Sequence, residues 1–115
     1  MNTFRFDGTD FQAVYQTDGW KIGLLRYSKR FASLCVLERH LKTPEIFVLL
    51  TGSAVLYEKQ EDGRINSTEM QKNTVYEIET GKWHHITVSR NATVLVVENG
   101  DTCRENTEKA VLQHD

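Results

Sequence analysis

From Lys21 to Glu98 the chain is cut into short stretches that either alternate apolar and polar residues or run wholly apolar. Each stretch is bounded by turn-forming residues, and that punctuation constrains the fold more than any other feature. The stretches are long enough for strands and too short for ordinary helices. Strands are expected at Lys21 to Tyr27, Phe31 to Arg39, Ile46 to Leu50, Ala54 to Lys59, Ile65 to Met70, Thr74 to Ile78, Trp83 to Ser89 and Thr93 to Glu98. Asp62-Gly63 is a hairpin signal, because both residues tolerate positive φ. Pro44, the only proline, falls in a connection where its missing N–H costs no ladder bond.

About eight strands in a chain of 115 residues point to an all-β jelly roll or small barrel, which limits exposed sheet edges. The length suits one domain. The expected layout is a barrel over residues 20–100, an N-terminal arm over 1–19 and a C-terminal tail over 101–115. Within that tail, Glu105 to Leu112 has the composition of one or two helical turns with a thin apolar face.

Net charge is −2, with acids and bases mixed along the chain. No basic stripe is present to follow a phosphate backbone, so nucleic acid is not an expected partner. No apolar run approaches the roughly 18 residues of a membrane helix. The first ten residues lack the apolar core of a signal peptide. A cytoplasmic location is therefore expected, with no membrane partner. Cys35 and Cys103 are read as free thiols, Cys35 in a buried packing role.

Strand parity then sorts the polar residues. Glu38 and His40 share a face with Leu34 and Val36. Glu45 is in phase with Phe47 and Leu49, and His84 with Ile86 and Val88. His85 faces the other way, with Trp83 and Thr87. A barrel with this pattern collects Glu38, His40, Glu45 and His84 at one inner site. Imidazole nitrogen with carboxylate oxygen suits a divalent ion such as Fe, Mn, Ni or Zn. Two histidines and one carboxylate leave coordination positions open, as catalysis requires.

The run from Glu38 to Gly52 resembles the first motif of the cupin superfamily, G(X)5HXH(X)3-4E(X)6G, with His40, Glu45 and Gly52 at matching positions. Gly81-Lys82-Trp83-His84 resembles the second, G(X)5PXG(X)2H(X)3N, with Gly81 and His84 in place. The resemblance implies a cupin-type double-stranded β-helix over most of the chain and a metal held by His40, Glu45 and His84. The chain departs from the pattern at Ala32 and Glu38 in the first motif, and at Asn73, Glu79 and Val88 in the second. Glu38 stands where a metal histidine would be, so the expected set becomes two carboxylates and two histidines if Glu38 turns inward.

Each residue also has a plainer reading. His40 caps a strand end, Glu45 is an exposed strand start, and Glu38 pairs in solvent with Arg39 or Lys42. His85 is an outer-face residue, and His114 belongs to the tail. Trp83, Phe47 and Tyr57 are packing residues, while Tyr27 and Tyr76 are candidate proton donors. Three functions stay open: a metal-dependent enzyme acting on a small oxygenated metabolite, a metal-free sugar epimerase or isomerase, and a non-catalytic small-molecule-binding module. A homodimer is expected, with Phe4, Phe6 and Phe11 offered for burial.

Overall fold

The computed structural model describes residues 1–100 and 102–112. Ten strands form in chain order: β1 (Phe11–Gln16), β2 (Trp20–Arg26), β3 (Val36–His40), β4 (Glu45–Thr51), β5 (Ala54–Lys59), β6 (Ile65–Glu69), β7 (Tyr76–Ile78), β8 (His84–Val88), β9 (Thr93–Asn99) and β10 (Thr107–Val111). They make two five-stranded antiparallel sheets, ordered β1-β2-β9-β4-β7 and β10-β3-β8-β5-β6. The two inner faces enclose the core, as in a jelly roll. No helix among the described residues is long and apolar enough to cross a membrane.

Two strands were not expected from the sequence. β1 lies in the segment read as an arm, and β10 in the segment read as a helical tail. β10 aligns Thr107 with His40, Lys109 with Glu38 and Val111 with Val36. Without it β3 would expose a row of unpaired N–H and C=O groups, and satisfying them outweighs a weak helical tendency. The long strand expected from Phe31 is also shorter. A 3-10 turn at Lys29–Phe31 drops Phe31 into the core, and the strand begins at Val36. Cys35, expected to be buried, is exposed at that strand start. His114 lies outside the described residues.

The interior is graded along its length. β4 and β9 set Leu49 beside Val94, Phe47 beside Val96 and Glu45 beside Glu98. On the facing sheet, β8 contributes Val88, Ile86 and His84 in the same alternation. Valine and leucine therefore fill one end of the barrel, and ionisable groups gather at the other. The apolar end, with Val94 fully buried, carries most of the hydrophobic stabilisation at about 25 cal/mol per Å² of apolar area removed from water.

Gly23 shows how β1 contributes to the interior. A Cβ at Gly23 would overlap the Phe11 ring, which lies across this glycine. Phe11, expected to be offered for burial at a dimer contact, is partly buried here and packs against the core. Gly23→Ala should evict the ring and cost about 1–3 kcal/mol as an overpacking change. Urea unfolding of the variant would measure it, and an unchanged midpoint would contradict the packing.

Candidate metal centre

The ends of β3, β4 and β8 bring three side chains together. His40 is 9% exposed, Glu45 7% and His84 4%, and their donor atoms all lie within 4.8 Å of one another. Glu45 Oε1 is 3.0 Å from His84 Nε2, and Glu45 Oε2 is 3.3 Å from His40 Nε2. The other ring nitrogens are fixed from behind. His40 Nδ1 lies 2.9 Å from Thr107 Oγ1 on β10. His84 Nδ1 donates to the Lys82 carbonyl at 2.9 Å.

That last bond fixes the chemistry of the centre. A carbonyl only accepts, so Nδ1 of His84 must carry a hydrogen. In a neutral ring Nε2 is then a bare lone pair. It faces an oxygen of Glu45, which also carries lone pairs. Two such atoms at 3.0 Å repel unless a cation, either a proton or a metal ion, accompanies them.

The residues fit a metal ion. His40 Nε2 is buried and makes no aligned hydrogen bond, although Glu45 stands within ion-pair distance. One donor atom from each residue lies within 4.8 Å of the others, and two imidazole nitrogens with a carboxylate oxygen are a set that would hold a divalent transition-metal ion. Thr107 and the Lys82 carbonyl supply the outer contacts that orient metal-binding imidazoles.

Electrostatics within the centre follow from the same contacts. Burial alone would lower the pKa of His40, but hydrogen bonding and charge attraction from Glu45 outweigh it and the net shift is upward. His84 shifts upward for the same reasons, helped by the Lys82 carbonyl. Burial would raise Glu45, yet the two imidazoles hold it down to about 2.

A fourth ionisable group was missed from the sequence. Glu98 on β9 is 7% exposed and sits beside Glu45 across the ladder. Burial and the neighbouring Glu45 carboxylate push its pKa from 4.5 up to about 8. Lys21 lies 4.0 Å from Glu98 and pulls the other way, but its ammonium is engaged by the Thr102 carbonyl at 2.6 Å. The signal was present in the alternation Val94, Val96, Glu98, where a carboxylate ends an inward apolar stripe.

Glu38, expected as a fourth ligand, faces the cavity but stands outside the triad. Its carboxylate is 3.5 Å from Lys109 Nζ on β10 and is 26% exposed. His85 also departs from expectation. It has the opposite parity to His84, yet it is buried in the cavity wall against Phe31, with ring centroids 6.2 Å apart. The 3-10 turn that brings Phe31 over His85 comes from a distant part of the chain, so no local signal marked it.

Phe47 packs in the core and also lines the cavity. Trp83 carries the Arg39 guanidinium 4.6 Å above its ring. Tyr57 and Tyr76 accept hydrogen bonds from Thr87 and from the Gln71 N–H, and Arg90 stacks on Tyr27. None of these three tyrosines lines the cavity.

Comparison with solved structures decides the architecture. The nucleoside dehydratase Pac13 superposes with a TM-score of 0.72 over 96% of this chain and 88% of its own, at 5% identity. A cupin-2 domain protein from Shewanella frigidimarina gives 0.64 over 82% and 84%, at 14% identity. Bacillus subtilis oxalate decarboxylase gives 0.65 over 94% of this chain and 30% of its own, at 18% identity. The fold is that of the cupins. No family model matches the chain, and no match emerges among curated sequences.

The chain spans less than a third of the oxalate decarboxylase chains it matches. Within this fold, His40, Glu45 and His84 occupy the motif positions that the sequence indicated, and the barrel brings them together. One related structure concerns the Mn(II) centres of oxalate decarboxylase, a property of that protein.

Proposed function

We propose that this cupin binds a divalent transition-metal ion through His40, Glu45 and His84 and acts on a small oxygenated metabolite in the cavity beside them. The observation that carries this reading is the convergence of one donor atom each from His40, Glu45 and His84 within 4.8 Å, with His40 Nε2 buried and without a hydrogen-bond partner. When bound, such an ion supplies Lewis acidity toward a ligand oxygen. Glu45 bridges and orients both imidazoles. Thr107 and the Lys82 carbonyl fix their rings, and Glu98 keeps a protonated carboxyl next to Glu45.

The cavity measures about 690 Å³, and Arg30 and Lys109 are its lining cations. Both already have carboxylate partners, Arg30 with Asp10 and Lys109 with Glu38. A wall with its charges matched in this way is poorly suited to a diphosphate, which weighs against a nucleotide-linked sugar.

A second reading places a proton where the first places a metal. The Glu45–His84 contact at 3.0 Å is also the geometry of a carboxylate–imidazolium pair for metal-free acid–base chemistry. Elemental analysis of protein purified without chelator separates the two. The metal reading expects about one equivalent of a first-row transition metal, lost in His84→Ala while the fold persists by circular dichroism. A protein that arrives metal-free and takes up none of Mn(II), Fe(II), Co(II), Ni(II) or Zn(II) leaves only the proton reading.

A further inference from the structure

The chemistry of the cavity walls narrows the ligand, given the metal reading above. Outside the polar end, the walls are Phe11, Phe31, Val36, Phe47, Ile86 and Val96. A compact hydrophilic ligand at the triad would leave this apolar surface in water, whereas a larger apolar body would cover it.

Two of these side chains are pinned aromatic rings. Phe11 lies across Gly23, whose missing side chain makes room for the ring. Phe31 carries the Arg30 guanidinium 4.3 Å from its ring centroid and stacks on His85 with 28° between the planes. Arg30 is itself held by Asp10, which also accepts from the Ser28 hydroxyl at 2.8 Å. Phe31 is only 5% exposed, so rings fixed by such contacts offer the cavity a preformed aromatic edge and wall at little ordering cost.

His85 adds a polar mark to that wall. It is 6% exposed, and its Nε2 has no hydrogen-bond partner. A buried nitrogen left in this way costs stability unless something meets it. The Ser33 and Arg30 backbone also meets the imidazole, which leaves Nε2 as the ring nitrogen for a ligand group in the cavity that His85 lines.

We propose that the ligand is a small aryl compound. Its oxygen-bearing head meets His40, Glu45 and His84, its flat ring lies against Phe11 and Phe31, and a ring hydroxyl or amino group meets His85 Nε2. This rests on the metal reading, and the probes are chosen so that the two fail separately.

Protein loaded with Co(II) is titrated with acetohydroxamate, benzohydroxamate and the three hydroxybenzohydroxamates, with binding read from the visible Co(II) absorption bands. Acetohydroxamate reports the metal alone. Benzohydroxamate should bind at least ~10-fold tighter through apolar burial, and Phe31→Ala should erase that advantage while leaving acetohydroxamate affinity intact. One hydroxy isomer should bind several-fold tighter than benzohydroxamate. In His85→Phe that gain should disappear, with benzohydroxamate affinity retained.

Failure to load Co(II) defeats the metal reading and this inference with it. Intact acetohydroxamate binding with equal affinity for benzohydroxamate overturns the aryl ligand alone. A hydroxy gain that is absent, or that survives His85→Phe, overturns the role given to His85.

Discussion

Glu45→Ala should lower the unfolding free energy of the metal-free protein by roughly 3–5 kcal/mol near pH 6, the usual cost of removing one partner from a buried ion pair. Among the described residues, Glu45 is the only carboxylate within ion-pair distance of both imidazoles in the triad. Without it, burial dominates His40 and His84 and drives both toward the neutral form. The bare nitrogen of His84 then has no cation to justify its orientation. Metal uptake should fall below detection, since the two remaining donors come from different strands and lack the anion that draws a divalent ion in.

Glu98 complicates the result in an informative way. Part of its raised pKa comes from the Glu45 charge. Deleting Glu45 lets Glu98 ionise more readily and serve as a substitute counter-ion for His40. Adding Glu98→Gln should therefore deepen the loss beyond the sum of the single changes, a coupling readable from a double-mutant cycle in urea. A loss under ~1 kcal/mol in Glu45→Ala, the scale of an exposed pair, together with retained metal, would remove Glu45 from the centre of the site.

The second large effect is on pH dependence. Glu98 is raised from 4.5 to about 8, so between those limits the folded chain holds a proton that the unfolded chain has released. Stability from this group is fully present below pH 4.5 and is lost as pH rises toward 8. His40 and His84 act in the same sense, since both are raised above 6.5. Their contribution is present below 6.5 and lost as pH rises through the folded values. Glu45 acts oppositely. It is lowered from 4.5 to about 2, so its contribution holds above pH 4.5 and is lost as pH falls toward 2.

Glu98, His40 and His84 together should make the metal-free protein melt lower as pH rises from 4.5 to about 8, with His85, lowered by burial, opposing them below 6.5, and Glu98→Gln should flatten that slope. Differential scanning calorimetry across the range, with chelator present, measures both. Parallel curves for the two proteins would show that Glu98 does not hold its proton in the folded state. Metal affinity should follow the opposite trend and strengthen with pH, because an ion must displace protons from the imidazoles.

Much of the candidate site was legible because alternation is a strict geometric rule. His40, Glu45 and His84 were found by phase with apolar neighbours, and the barrel places them together. Glu98 obeyed the same rule and was overlooked, because it matches no position in the family motif. Parity put Glu38 on the face of His40 and left open whether it turned inward as a ligand; its partner Lys109 belongs to a strand that looked helical in isolation. His85 could not have been placed, since its burial depends on Phe31 from a turn more than fifty residues away.

The sequence by itself determined the strands from β2 to β9, the apolar stripes along the inner faces and the phase of the three converging donors. These are properties of residue order within single segments, where side-chain direction repeats every two residues. Only the tertiary structure decided that β10 closes the edge of β3, that Phe11 enters the cavity, that Glu98 lies beside Glu45 and that His85 is walled in by Phe31. Each of those outcomes depends on which distant segment supplies a missing hydrogen-bond ladder or covers an exposed face. Local periodicity carries no information about that choice.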